Sequence, residues 1–165
     1  MVEGDETYFG EKSEPHVSEQ RRGHPYQYER KGPRNKRAIL GLTERGGSVR
    51  TFHVAQATKI NVADLVTENV DRESRFFTDE SKLYRGMDAH FVSHETVKHS
   101  AGEYVRGDVH SNTIESHFSI FKRGMRGVYQ HCAEKHLHRY LAEFDFRQNR
   151  RVALGVNDIS RADQI

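Results

Sequence analysis

Three carboxylates occupy positions from which metal chemistry can be done. Asp5 interrupts an apolar stretch between Val2 and Tyr8-Phe9, Asp79 follows directly on Arg75-Phe76-Phe77-Thr78, and Glu115 sits among Ile114, Phe118 and Phe121. Carboxylates beside core segments are unfavourable unless solvated, paired or bound to metal. Carboxylates converging without a thiolate or a fixed histidine motif suit a hard, oxygen-seeking ion such as Mg²⁺. Two such ions clamp the attacking and leaving oxygens of a phosphodiester. Each acid taken alone also has a plain structural role. Asp79 can cap a following helix, Glu115 can complement a helix dipole, and Asp5 can face solvent. The spacing favours the joint reading: 35 residues separate Asp79 from Glu115, and Lys122 follows Glu115 by seven, two turns along one helix face.

The basic residues form two groups. Between Arg21 and Arg37 there are seven Lys or Arg, among them Arg34, Lys36 and Arg37, against the single acid Glu29. Lys122 and Arg123 open a second run of eight basic residues that ends at Arg151. Basic groups with aromatic neighbours such as Tyr26 and Tyr28 suit a phosphate backbone, since each contact releases condensed counterions. A solvated loop and an ordinary basic helix face fit equally well, because the net charge is only +2.

A chain of 165 residues reads as one domain. No apolar run approaches the ~18 residues of a membrane span, and MVEGDETYFG is not a signal peptide. The single cysteine, Cys132, excludes an internal disulfide framework and a four-cysteine zinc site. A reducing, cytoplasmic compartment is the expectation. Eleven histidines are many, but His131, Cys132, His136 and His138 match no standard zinc spacing. His110 and His117 lie near the carboxylates in sequence, as packing or surface groups.

The elements that must position these residues can be read from periodicity. Residues 2–9 form a first strand, and 10–36 a long polar, basic loop. Strands follow at 37–43 and 48–55, joined by a hairpin turn at Glu44-Arg45-Gly46-Gly47. A helix spans 61–71 with Asn61 as N-cap; a strand spans 75–78; a short helix and a strand follow at 80–87 and 90–93. A helix starts at Ser111 or Asn112 and is broken by Gly124 and Gly127. The final helix, 133–150, buries Leu137, Tyr140, Leu141 and Phe144. This order gives a mixed α/β fold with a partly antiparallel sheet.

The carboxylate order, the 35-residue gap and the trailing Lys122 resemble the DDE transposases and integrases of ribonuclease-H-like fold. VEGDETYFG, FFTDESKLYRGM, VHSNTIESHFSIFKRGMRGVYQH and KHLHRYLAEFDFRQNRR are similar to the ISXO-like branch of insertion-sequence transposases. The resemblance implies a ribonuclease-H-like mixed sheet, with the first three strands antiparallel and the later ones parallel, flanked by helices. It also implies a catalytic domain over 1–151 with a tail at 152–165. In that family Asp5, Asp79 and Glu115 would bind two Mg²⁺ or Mn²⁺ ions, and Lys122 would contact the DNA end. Some members carry Asn in place of the third acid, and Asn112 lies one turn before Glu115. The gap and the step to Lys122 both fit Glu115, leaving Asn112 as the alternative or supporting group.

The implied activity is hydrolysis at the element's end followed by strand transfer, with DNA and further copies of the chain as partners. The branch usually carries an N-terminal zinc-ribbon or helix-turn-helix region. This sequence opens on the first catalytic strand, which reads as a catalytic fragment or truncated gene. A non-catalytic DNA-binding or assembly remnant, and a ribonuclease-H-like nuclease without strand transfer, are the alternatives.

Overall fold

The computed structural model describes residues 1–11, 36–156 and 159. Most of the loop expected at 10–36 lies outside them, including Arg21, Arg22, Arg30, Lys31 and Arg34. Five strands form one sheet: β1 (Val2–Glu11), β2 (Lys36–Glu44), β3 (Val49–Val54), β4 (Arg75–Thr78) and β5 (Ser93–Thr96), in the spatial order β3-β2-β1-β4-β5. The first three are antiparallel, while β4 pairs parallel to β1 and β5 parallel to β4. Among the described residues, three α-helices flank the sheet: α1 (Lys59–Asn69), α2 (Asn112–Gly124) and α3 (Leu137–Asn149). This is the mixed α/β sheet expected from the element order. Among the described residues no helix is long and apolar enough to cross a membrane.

Alternation along β1 and β2 sorts side chains between two cores. On one face Ile39 and Val49 meet Ile114, Phe118 and Phe121 of α2 and Leu137, Leu141 and Phe144 of α3. On the other, Leu40, Leu42 and Phe76 meet Val62 and Val66 of α1 with Tyr84, Met87 and Phe91. Strand β4 is buried on both sides, so Phe76 and Phe77 enter different clusters, as a central parallel strand requires.

Glycine sets how closely α2 can approach. Gly41 pairs with Asp5 across β1 and β2. A Cβ on Gly41 would lie 2.6 Å from Ile114 Cδ1 and 2.6 Å from Phe118 Cζ. Gly41→Ala is therefore expected to destabilise the fold by about 1–3 kcal/mol through overpacking. Urea denaturation reads this directly, and an unchanged midpoint would mean that α2 does not press on β2.

The local differences from expectation have physical causes. The hydroxyl of Thr58, not the side chain of Asn61, caps α1 by accepting from the Asn61 amide at 3.2 Å. Residues expected as a short helix at 80–87 form two 3₁₀ turns, Lys82–Tyr84 and Met87–Ala89, separated by Gly86 at φ 91°. The expected strand at 90–93 lies at Ser93–Thr96. Gly124 does not break α2. Its missing Cβ admits the Phe144 ring of α3, and the chain runs on into a π-helical turn, Met125–Tyr129. That turn ends at Gln130, with φ 57°. The tail includes a 3₁₀ turn at Val152–Leu154.

Helix α3 also closes the outer side of β3. Asn149 Oδ1 accepts from the Val49 amide at 2.7 Å, and its Nδ2 donates to the Val49 carbonyl at 2.8 Å. One turn earlier, Asp145 Oδ2 accepts from the Thr51 amide at 2.7 Å. The i, i+4 spacing of the helix matches the i, i+2 spacing of the strand. His117 Nε2 of α2 lies 3.1 Å from Asp145 Oδ1, so both helices and the edge strand meet at one carboxylate.

Candidate active site

Strand β4 stops at Thr78, and its ladder with β1 covers only Val2 and Glu3. Beyond that point β1 continues with no parallel neighbour. Side chains from either face can then turn into the same space at the carboxyl end of β4. Asp5 enters from the α2 face, Glu6 from the α1 face, and Asp79 directly from the end of β4. One carboxylate oxygen from each lies within 4.8 Å of the others.

Short local bonds fix the three acids. Asp5 Oδ1 accepts from the Glu6 amide at 2.8 Å. Ser81 links the other two: its amide donates to Asp79 Oδ1 at 2.9 Å, and its hydroxyl donates to Glu6 Oε1 at 2.9 Å. Glu6 Oε2 and the hydroxyl of fully buried Tyr84 are both buried. Burial raises both pKa values, and the interaction of these two side chains opposes the rise at Glu6 and adds to it at Tyr84.

Burial raises the pKa of all three acids. Asp5 is pushed up to about 8, by burial first and then by the charges of Asp79, Glu6 and Glu115. Glu6 is raised by burial and by Asp79. Asp79 is raised by burial, against opposing contributions from the Ser81 amide and His99. Crowded carboxylates that oppose one another's ionisation are relieved by a bound cation. An all-oxygen donor set of three partly buried carboxylates fits a hard divalent ion.

Glu115 is outside this trio. Its Oε1 accepts from the Ser111 hydroxyl at 2.5 Å and lies 3.2 Å from His99 Nε2. Its charge is nevertheless felt at both Asp5 and Asp79. Glu80 fixes the His99 segment by accepting from the Ser100 amide and hydroxyl, both at 2.8 Å. Asn112 is exposed, and with Glu115, Ser116, Ser119, Ile120 and Arg123 it lines an open groove on the outer face of α2.

The expected DNA contacts divide. Lys122 is half-buried; burial lowers its pKa and the charge of Asp5 raises it, which sets its ammonium near the acidic cluster. Arg126 and Lys36 act on the same ammonium, so positive charge gathers along this side. Arg123 and Lys36 are exposed. Arg37 is different. It is 8% exposed, with Nε donating to the Glu11 carbonyl at 2.8 Å and Nη1 to the Cys132 carbonyl at 2.6 Å. Its guanidinium joins β1 to the segment before α3. Arg34 lies outside the described residues.

Sequence reading missed Glu6, Ser81, Ser111, His99 and Glu3. Glu6 was legible as the neighbour of Asp5, but alternation along a strand assigns it to the opposite face. Only the early end of β4 reunites the pair.

Residues 1–149 match the family described as ISXO2-like transposase domain. The chain is also 32% identical over 119 residues to an uncharacterized protein in transposable element ISH50 of Halobacterium salinarum. That match covers 69% of this chain and 39% of the Halobacterium protein, so the chain spans well under half of that relative's length.

Proposed function

The chain belongs to the ISXO2-like transposase domain family, and from that premise we propose that residues 1–151 form a metal-dependent catalytic unit. It hydrolyses a DNA phosphodiester at the end of a mobile element and joins the freed 3′-hydroxyl to target DNA. The observation that supports this most is the trio of Asp5, Glu6 and Asp79 oxygens within 4.8 Å at the carboxyl end of β4, with Lys122 beside it.

Asp5 and Asp79 would hold the metal, Glu6 would share in that task, and Glu115 would complete the set from α2. When bound, Mg²⁺ or Mn²⁺ ions supply charge stabilisation at the scissile phosphate. Asp5 would have to be ionised to hold a cation, so binding would be coupled to proton release. Lys122, Lys36, Arg123 and Arg126 draw in and hold backbone phosphates, largely without regard to sequence. His99 and Ser111 keep the Glu115 carboxylate oriented. Asn112, on the same groove, is available to a nucleotide beside the reacting phosphate. Assembly of more than one copy on paired ends belongs to the same reading.

Calorimetric titration of Mn²⁺ into the purified chain tests it. Wild type is expected to bind, and Asp79→Asn to lose that binding. Equal binding by the variant would remove the strand carboxylates as the site. Absence of binding in wild type, with or without a pre-cleaved DNA end, would leave a fold kept without its chemistry.

A further inference from the structure

Helix α2 begins without help from its own N-cap residue. Ser111 precedes the first turn, but its hydroxyl caps no amide; it donates to Glu115 instead. The amides left over at a helix start need acceptors, and here they find them on another element. Glu3 of β1 is completely buried. Its Oε2 accepts from the Thr113 amide at 2.9 Å and the Ile114 amide at 3.3 Å, and its Oε1 accepts from the Thr113 hydroxyl at 3.0 Å.

The remaining contacts fix Glu3 in turn. Arg45 Nε donates to Glu3 Oε1 at 2.8 Å, and His110 Nδ1 lies 3.1 Å from the same oxygen. Arg45 also donates to the carbonyls of Asp108 and His110, and its guanidinium lies 4.7 Å from the centre of the Phe77 ring. The chain entering α2 is thereby clamped to the β2–β3 turn and to β4.

Glu3 and Asp5 are two residues apart on one strand and share a face. From these contacts we infer that Glu3 is a positioning residue for the reaction. One strand carries a ligand carboxylate and, two residues before it, the carboxylate that fixes the start of the helix bearing Asn112 and Glu115. By capping α2, Glu3 leaves the Ser111 hydroxyl available to orient Glu115. Arg45 holds Glu3 in that task. The catalytic half of this inference rests on the proposed function; the capping half does not.

The test compares wild type, Glu3→Ala, Glu3→Gln and Arg45→Ala, each below its melting temperature. In metal-free protein, exchange of the Thr113 and Ile114 amides is expected to quicken at least tenfold in Glu3→Ala and less in Glu3→Gln, which keeps one acceptor oxygen but loses the ion pair with Arg45. With Mn²⁺ and a DNA end, Glu3→Ala is expected to cleave about 10- to 100-fold more slowly, the range seen when groups that orient metal ligands are removed. Its KM for DNA and its first Mn²⁺ affinity are expected to stay within about twofold, with Glu3→Gln intermediate in rate between Glu3→Ala and wild type. Arg45→Ala is expected to slow cleavage in the same manner, and it carries the test if Glu3→Ala does not fold. A wild-type cleavage rate in Glu3→Ala would overturn the inference, as would a loss that follows Mn²⁺ affinity. Should wild type itself neither bind Mn²⁺ nor cleave, the proposed function fails, and amide exchange decides: unchanged protection in Glu3→Ala overturns the cap.

Discussion

Asp5→Asn and Asp79→Asn are each expected to abolish Mn²⁺-dependent cleavage of a DNA end, by about 10³-fold or more, with the circular-dichroism spectrum unchanged from wild type. Both residues belong to a group of three, with Glu6, whose carboxylate oxygens lie within 4.8 Å of one another among the described residues. A metal at such a site stabilises transition-state charge by several kcal/mol, and each 1.36 kcal/mol is about tenfold in rate. Asparagine keeps the shape and one acceptor oxygen but not the charge that holds the ion. Glu115→Gln is expected to lose cleavage as well, yet to keep the first Mn²⁺, because Glu115 is bonded to Ser111 and lies beside His99 rather than within the trio. Wild-type rates in all three variants would dismiss this assignment.

The second large effect concerns pH and metal-free stability. Folding raises the Asp5 pKa from 3.8 to about 8, so the folded chain favours the protonated acid. The stability this proton confers is complete below pH 3.8, declines as pH rises, and is gone above about 8. A gap of one pH unit between the folded and unfolded pKa is worth about 1.4 kcal/mol, so the loss across that window is on the order of a few kcal/mol. Glu6 and Asp79 are raised in the same direction. In a chelator, Asp5→Asn is therefore expected to melt higher than wild type at pH 8.5 and level with it near pH 4. Adding Mn²⁺ reverses the order at pH 8.5, since only wild type gains by binding. No advantage for Asp5→Asn at pH 8.5 would mean that the site is solvated and the acids do not oppose one another. Stability given up at a site in this way is the usual sign of function.

Much of this fold is legible from side-chain period alone. The alternation in β1 and β2, the Gly46-Gly47 turn and the Leu137-Leu141-Phe144 stripe all act locally, so sequence reports them. Asp5 and Asp79 stand out because each interrupts or ends an apolar run. The features that escape a linear reading depend on partners far along the chain. Gly124 looks like a helix stop until Phe144 is placed against it. Arg37 stands out only as part of a basic run, and its bonds to the Glu11 and Cys132 carbonyls have no local signal. Glu3 draws no notice in the sequence, because the α2 amides it accepts from lie more than a hundred residues away. Glu6 lies on the face opposite Asp5, and strand alternation says nothing of where the neighbouring strand ends, which is what lets the two carboxylates meet.

The side chains of Asp145 and Asn149 have a consequence for how copies of this chain can meet. An exposed outer strand is a template on which another chain can extend the sheet, the common route to aggregation and strand-swapped pairs. At Val49 and Thr51 the template is already occupied, because a helix supplies the acceptors and the donor that a sixth strand would bring. Polymerisation by strand addition is thus blocked at this end of the sheet. If copies gather on one DNA molecule as proposed above, they would do so without extending the sheet at Val49 and Thr51 of β3.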